Sequence, residues 1–189
     1  MAQQVKTLKI LGQSLLTTES RAISFRNLTS NLVTLTTATA HNIIEGNYVT
    51  VTGIDATFNG NQNVFTVPNN TSFTYPVTAS NVVTAATVGA SVSYVPETIV
   101  YTCPASPSTQ TLISTITVTN CSDVDGTFFL AVVKTGETLS KKHYIAWGPG
   151  ILARDQISLT LGLTITSGDK IVAFGAPNIA ISLFGGEIV

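Results

Sequence analysis

Charge is what this sequence has least of. Asp, Glu, Lys and Arg make up 10% of its 189 residues, against roughly 25% in ordinary soluble domains. The formal net charge is −1, and Lys141 and Lys142 are the only adjacent basic pair. Electrostatic nucleic-acid binding needs a basic stripe or patch, so no nucleic-acid partner is expected. No run of residues approaches the roughly 20 apolar positions that span a bilayer, and no membrane partner is expected either. The start, MAQQVKTLKILGQSLL, has too short an apolar run and no small-residue cleavage site for a signal peptide. Folding in a cytoplasm is the expectation.

Histidine and cysteine are as sparse. His41 and His143 have no carboxylate motif beside them, and each reads as a surface or packing histidine. No Cys or His pair has zinc spacing, and no G-x-S-x-G nucleophile elbow is present. Cys103 and Cys121 flank a predicted strand. About ten extended residues separate them, roughly 30 Å at 3.3 Å per residue, whereas a disulfide needs Cα atoms within about 7 Å. Two unpaired thiols are predicted. Asp123-Val124-Asp125-Gly126 opens like a calcium loop, but the later ligands and the closing Glu are missing, which favours a plain turn. No catalytic residue, no cofactor-binding residue, no metal ligand and no cofactor are assigned. A chain with few charges and no cluster of ionisable residues suits structural or binding work better than catalysis.

In place of charge stand Thr, Ser, Asn, Val and Ile. β-Branched residues favour strands, and Asn, Ser and Gly favour turns. The class is therefore all-β. Its centre is LISTITVTNCSDVDGTFFLAVV, residues 112–133. Leu112, Ile116 and Val118 fall on one face, with Ser114 interrupting, and Thr115, Thr117 and Thr119 fall on the other with Ile113. That is the period-2 alternation of a half-buried strand. Turn residues 120–126 follow, then an apolar run, 127–133, that predicts a strand covered on both sides. The two strands read as a hairpin. A hairpin cannot bury its face alone and calls for a larger antiparallel assembly.

Taken in order, residues 5–16 predict a first strand and 17–21 a polar connector. Residues 32–38, 48–53, 63–68, 72–75 and 90–95 predict five short strands, with 77–87 an irregular connection. The block from 23 to 97 reads as a small barrel or sandwich of its own. Beyond Pro96 and Glu97, strands are predicted at 98–102, 143–147, 155–161, 170–173 and 179–184. Pro104 to Gln110 reads as a loop, Gly148-Pro149-Gly150 as a tight turn, and residues 148–154 as room for one short helical turn. Strands spaced like this, with turns between, indicate a sandwich, jelly roll or barrel. Trp147, Tyr144, Tyr101 and the Phe128–Phe129 pair are candidates for a sugar-binding surface, although aromatic residues on strands more often belong to a core.

Several stretches carry a family resemblance: LKILGQS (8–14), IVYTCPAS (99–106), LISTITVTNCS (112–122), FFLAVVKTGETLSKKHYIAW (128–147), DQISLTLGLTITSGDKIVAF (155–174) and ISLFGGEIV (181–189). Together they resemble a family of small β proteins common in tailed bacteriophages, including cyanophages, and known as virion structural proteins. Residues 23–97 depart from the simple family pattern. They are similar to a separate phage module, carried here by His41, Gly46, Asn47, Val49, Val51, Gly53, Ile54 and Asp55. The resemblance implies an outer antiparallel β-sandwich or jelly-roll-like domain of residues 1–22 plus 98–189. A second small β domain, 23–97, is inserted after its first strand. It also implies a non-enzymatic virion protein on the particle exterior, assembled in the host cytoplasm. Capsid decoration (cement) is the first expectation, since the chain lacks the long repeats of fibre shafts. A tail, baseplate or fibre component, with host-glycan binding, is the alternative. The expected partners are other virion proteins, capsid or tail subunits, and further copies of the chain in a homo-oligomer, with a trimer favoured.

Overall fold

Alternating apolar and polar residues bury one face of each strand, and the computed structural model, which describes residues 8–105 and 110–188, is built almost wholly on that rule. In chain order the strands are β1 (Lys9–Leu15), β2 (Glu19–Thr29), β3 (Leu32–Thr37), β4 (Tyr48–Thr52), β5 (Gly60–Asn63), β6 (Thr66–Asn69), β7 (Ser72–Pro76), β8 (Val82–Ala86) and β9 (Ser91–Tyr94). There follow β10 (Thr98–Thr102), β11 (Gln110–Asn120), β12 (Gly126–Val133), β13 (Tyr144–Ile151), β14 (Gln156–Thr166), β15 (Lys170–Gly175) and β16 (Ile179–Ile188). The fold is all-β. Among the described residues the helical content is one 3₁₀ turn, Lys141–His143. Residues 5–7 of the predicted first strand and 106–109 of the predicted loop lie outside the described residues.

The chain divides into two compact units, one of residues 1–16 and 98–189 and one of residues 17–97. The boundary falls earlier than the predicted residue 23. Residues 17–21 read as a connector because they are polar, yet Glu19 to Ala22 pair with Tyr94 to Ser91 as the first half of β2. Polarity is no bar to a strand whose side chains face solvent.

In the unit of residues 17–97 all the strands belong to one curled sheet, in the order β5-β4-β9-β2-β3-β7-β6, with β8 also on β2. β2 makes the curl possible. Its first half pairs with β9 and its second half with β3 and β8, with register shifts where the partners change. Val33 and Leu35 of β3, Val49 and Val51 of β4, Phe73 and Tyr75 of β7 and Val92 of β9 alternate inward, and they enclose a core with Phe58 and Leu28. β8 replaces the irregular connection predicted at 77–87, and the predicted strand at 63–68 is broken into the ends of β5 and β6.

The other unit is a sandwich of two four-stranded antiparallel sheets, β1-β16-β11-β14 and β10-β15-β12-β13. The predicted hairpin of β11 and β12 is not formed. β11 pairs with β14 and β16, whereas β12 pairs with β13 and β15. The chain crosses from one sheet to the other at residues 121–125, and Asn120 stabilises the crossing. It is buried, its Nδ2 donates to the carbonyls of Val124 (2.8 Å) and Leu152 (3.1 Å), and its Oδ1 accepts from Ser122. Each of these bonds satisfies a polar group that would otherwise be costly to bury.

β11 itself corrects the predicted face. A bulge at Ser114 shifts its register against both neighbours. An extra residue exchanges the two faces of a strand beyond it. Ile113 therefore joins Ile116 and Val118 in the interior, and Leu112 stays half-buried. β12 is covered on both sides. Phe128 and Leu130 face the sandwich core, while Phe129, Ala131 and Val133 pack outward under Leu139 and Tyr144. The chain runs on from Trp147 through Gly148, Pro149 and Gly150 as part of β13, so neither the tight turn nor a helical turn forms there. β13 is an edge strand, where a residue without an N–H costs little.

Gly12 of β1 comes so close to β10 that a Cβ there would lie 2.3 Å from the Val100 carbonyl oxygen. Removal of residues 17–97, with a short Gly/Ser bridge from Leu16 to Thr98, should therefore leave a foldable sandwich. The expected result is a single cooperative thermal transition by circular dichroism. A chain without one would show that the sandwich needs the inserted unit.

Candidate functional site

The residues singled out from the sequence are dispersed over the two units. His41 follows β3. Its Nδ1 accepts the Ile43 N–H at 3.1 Å, and its ring meets Phe73 edge-on at 5.8 Å. Nε2 has no hydrogen-bond partner. Burial pushes the ring's pKa below the usual value. Its module neighbours also do structural work. Asn47 Oδ1 accepts the Ile44 N–H, and Gly46 and Gly53 have φ of 88° and 80°. Asp55 accepts the Thr57 N–H and pairs with Arg26, whose guanidinium lies over the Phe58 ring. The module pattern is a recipe for one loop-and-strand geometry.

His143 has a carboxylate partner after all, six residues upstream. Its Nε2 lies 2.5 Å from Glu137 Oε2, and its Nδ1 lies 3.0 Å from the Ser140 N–H and 3.2 Å from Ser140 Oγ. The order Ser, His, Glu is that of a nucleophile, a base and an orienting acid. Here, however, the Nδ1 lone pair already accepts the Ser140 N–H, which leaves the ring a poor base toward the hydroxyl. The same contacts form a capping box around the 3₁₀ turn. The Lys142 ammonium and the His143 ring hold the Glu137 carboxyl below its usual range. The loop that carries this cluster covers the outer face of the second sheet. The sequence signal for it was Glu137 and His143 on either side of Thr138-Leu139-Ser140-Lys141-Lys142, but only the folded loop makes the bond.

The carboxylates of the Asp123–Gly126 turn are engaged by the protein. Asp125 accepts the Ala153 N–H at 2.9 Å, and Asp123 pairs with Arg154 at 2.6 Å. Among the described residues no three His, Cys, Asp or Glu side chains are grouped as metal ligands. Cys103 is buried, 3.3 Å from Thr111 Oγ1 at the start of β11, and Cys121 is exposed just past its end; both are free. No helix among the described residues is long and apolar enough to cross a membrane.

The aromatic candidates separate cleanly. Trp147 and Tyr144 of β13 join Phe129 of β12 and Phe174 of β15 on the outer face of the second sheet. Phe129 stacks on Phe174 at 4.5 Å, and Trp147 stands perpendicular to both Phe129 (5.2 Å) and Tyr144 (4.5 Å). Edge-to-face contacts of this kind hold each ring in place. Trp147 is half exposed, at 51%, over a buried base. Phe128 points the other way, into the core. Tyr101 on β10 is engaged elsewhere, its hydroxyl 3.0 Å from Thr111 Oγ1 and 3.3 Å from Glu187. Burial foremost, with Glu187 beside it, pushes that hydroxyl up to about 12. The arrangement at Trp147 is an uncharged, braced ring able to stack on an apolar or sugar-like surface. The chain matches no model of a known protein family, and no curated protein matches it.

Proposed function

We propose that this chain is a non-enzymatic structural protein of a tailed-phage virion, carried on the exterior of the capsid as a decoration protein. The observation that carries the reading is where the resembling stretches fall. The six stretches at 8–14, 99–106, 112–122, 128–147, 155–174 and 181–189 supply strands of one compact unit, while the stretch with the module pattern lies in the other. The mechanism is adhesion. Burial of apolar surface and hydrogen bonding along strand edges hold the chain to capsid subunits and to other copies of itself. Low charge keeps the desolvation cost of such contacts small. Exposed apolar side chains are available for it, Leu8, Ile10, Val88 and Leu152 among them.

A second reading, a tail or baseplate component that touches host glycans, is favoured by the braced Trp147 alone. One experiment addresses both: gold labelling of intact particles with an antibody against the protein, viewed by electron microscopy. Label spread over the heads is the expected result. Label confined to the tail would replace decoration with the second reading, in which Trp147→Ala should lower adsorption to host cells. Particles that lack the protein would overturn both.

A further inference from the structure

Every open sheet ends in strands with no neighbour beyond them, and proteins blunt such edges with brevity, charge, proline or bulges. In this chain β1 carries Lys9 and a bulge, β10 is five residues long with a register shift, and β13 is interrupted by Pro149 and two shifts. In the other unit β5 and β6 have four residues each, and β8, paired with β2 alone, has five and a register shift. β14 is the exception. It has eleven residues, QISLTLGLTIT, without a charge or a proline. Its irregularity at Leu161 and Gly162 leaves the run from Gln156 to Thr160 in unbroken register with Thr119 to Thr115 of β11. Ile157 and Leu159 in that run lie beside Val118 and Ile116, both fully buried, yet remain only half-buried themselves. Among the described residues no strand of the sheet lies on their far side.

We propose that this run of β14 pairs antiparallel with the same run of a second copy, about a two-fold axis at Ser158. Symmetry then sets every opposed pair. Gln156 faces Thr160, Ile157 faces Leu159, and Ser158 faces Ser158. Apolar side chains meet on the core face, and hydroxyl and amide groups meet on the solvent face. No like charges oppose each other, which is the usual penalty of a self-paired strand. The run is its own complement, and that selects a second copy over an unrelated strand. The joined sheet continues from one sandwich into the next, and Ile157 and Leu159 of both copies become covered. The product is a dimer, in place of the trimer that the family resemblance implies, and it does not depend on the virion reading.

The test is the mass of the full-length protein in solution by size-exclusion chromatography with light scattering. The wild type should run as a dimer. Ser158→Lys and Ser158→Asp each set like charges face to face on the axis, and each should weaken self-association by at least about tenfold. Ser158 is exposed, so the far-ultraviolet circular dichroism of both should match wild type. An equimolar mixture of the two variants opposes Lys to Asp and should restore the dimer. A wild-type monomer or trimer, variants that remain dimeric, or a mixture that stays monomeric would each overturn the pairing.

Discussion

Gly185→Ala is expected to prevent the sandwich from closing. Gly185 lies in β16, between Lys9 of β1 and Ile113 of β11. A Cβ there would sit 2.0 Å from the Leu112 carbonyl oxygen, 2.9 Å from Leu11 Cδ1 and 3.0 Å from the Ile113 Cα. Two of these are main-chain atoms, and no rotamer change moves them. β11 cannot retreat, because β14 holds its other side over nearly its whole length. Overpacking of ordinary cores costs about 1–3 kcal/mol through side-chain adjustment. A clash with the central strand's backbone should exceed that, at about 4 kcal/mol or more, a large share of the 5–15 kcal/mol that holds a domain together. Chemical denaturation followed by circular dichroism measures it. Gly150→Ala is the control. Nothing lies within 4 Å of the position its Cβ would take, and its midpoint should stay near wild type. A Gly185→Ala protein with a wild-type midpoint would mean that β11 and β16 can separate without loss.

Asp169→Asn is expected to cost about 2–4 kcal/mol at neutral pH and progressively less in acid. Asp169 is 2% exposed at the start of β15, in the turn after β14. Its Oδ2 takes the Lys134 ammonium at 2.6 Å and the Thr166 N–H at 2.9 Å, and its Oδ1 takes the Thr135 N–H at 3.1 Å. Burial alone would raise its pKa. The donors outweigh burial and bring it down to about 2, from 3.8. The folded carboxyl therefore holds its charge more tightly than the unfolded one. Its contribution is complete above the unfolded value and is lost as pH falls from 3.8 through about 2. The stability gap between wild type and Asp169→Asn should be constant above about pH 5 and should shrink steadily below pH 4. Denaturation curves at a series of pH values read it directly. A gap independent of pH would show that the carboxylate's charge contributes nothing.

Part of this molecule is legible in its sequence. β3 and β4 bury alternate residues just as their sequences alternate, and the uniform run of β12 is buried on both faces. Phe128 and Phe129 are adjacent, so the pleat had to send them to opposite faces. Only Phe129 was therefore ever able to join Trp147. Other features were not legible for identifiable reasons. The first half of β2 is polar because Ser20 faces solvent and Glu19 and Arg21, half-buried, pair with each other, and polarity alone looks like a connector. Ser114 gives no sign that it is the bulge that turns Ile113 inward. Glu137 meets His143 only because the loop that carries both folds back over β12.

The all-β class, many of the turn positions and the inward residues of most strands follow from local pattern, because period-2 burial and turn chemistry are properties of a few successive residues. Which strand lies beside which is decided elsewhere. β11 and β12 follow each other in the chain and belong to opposite sheets. A strand's alternation records its two faces and says nothing of its two edges, where neighbours are chosen by the backbone hydrogen bonds that all sequences share. The long uncharged edge of β14, the clash that reserves position 185 for glycine and the bracing of Trp147 all depend on that choice, and the tertiary structure alone made it.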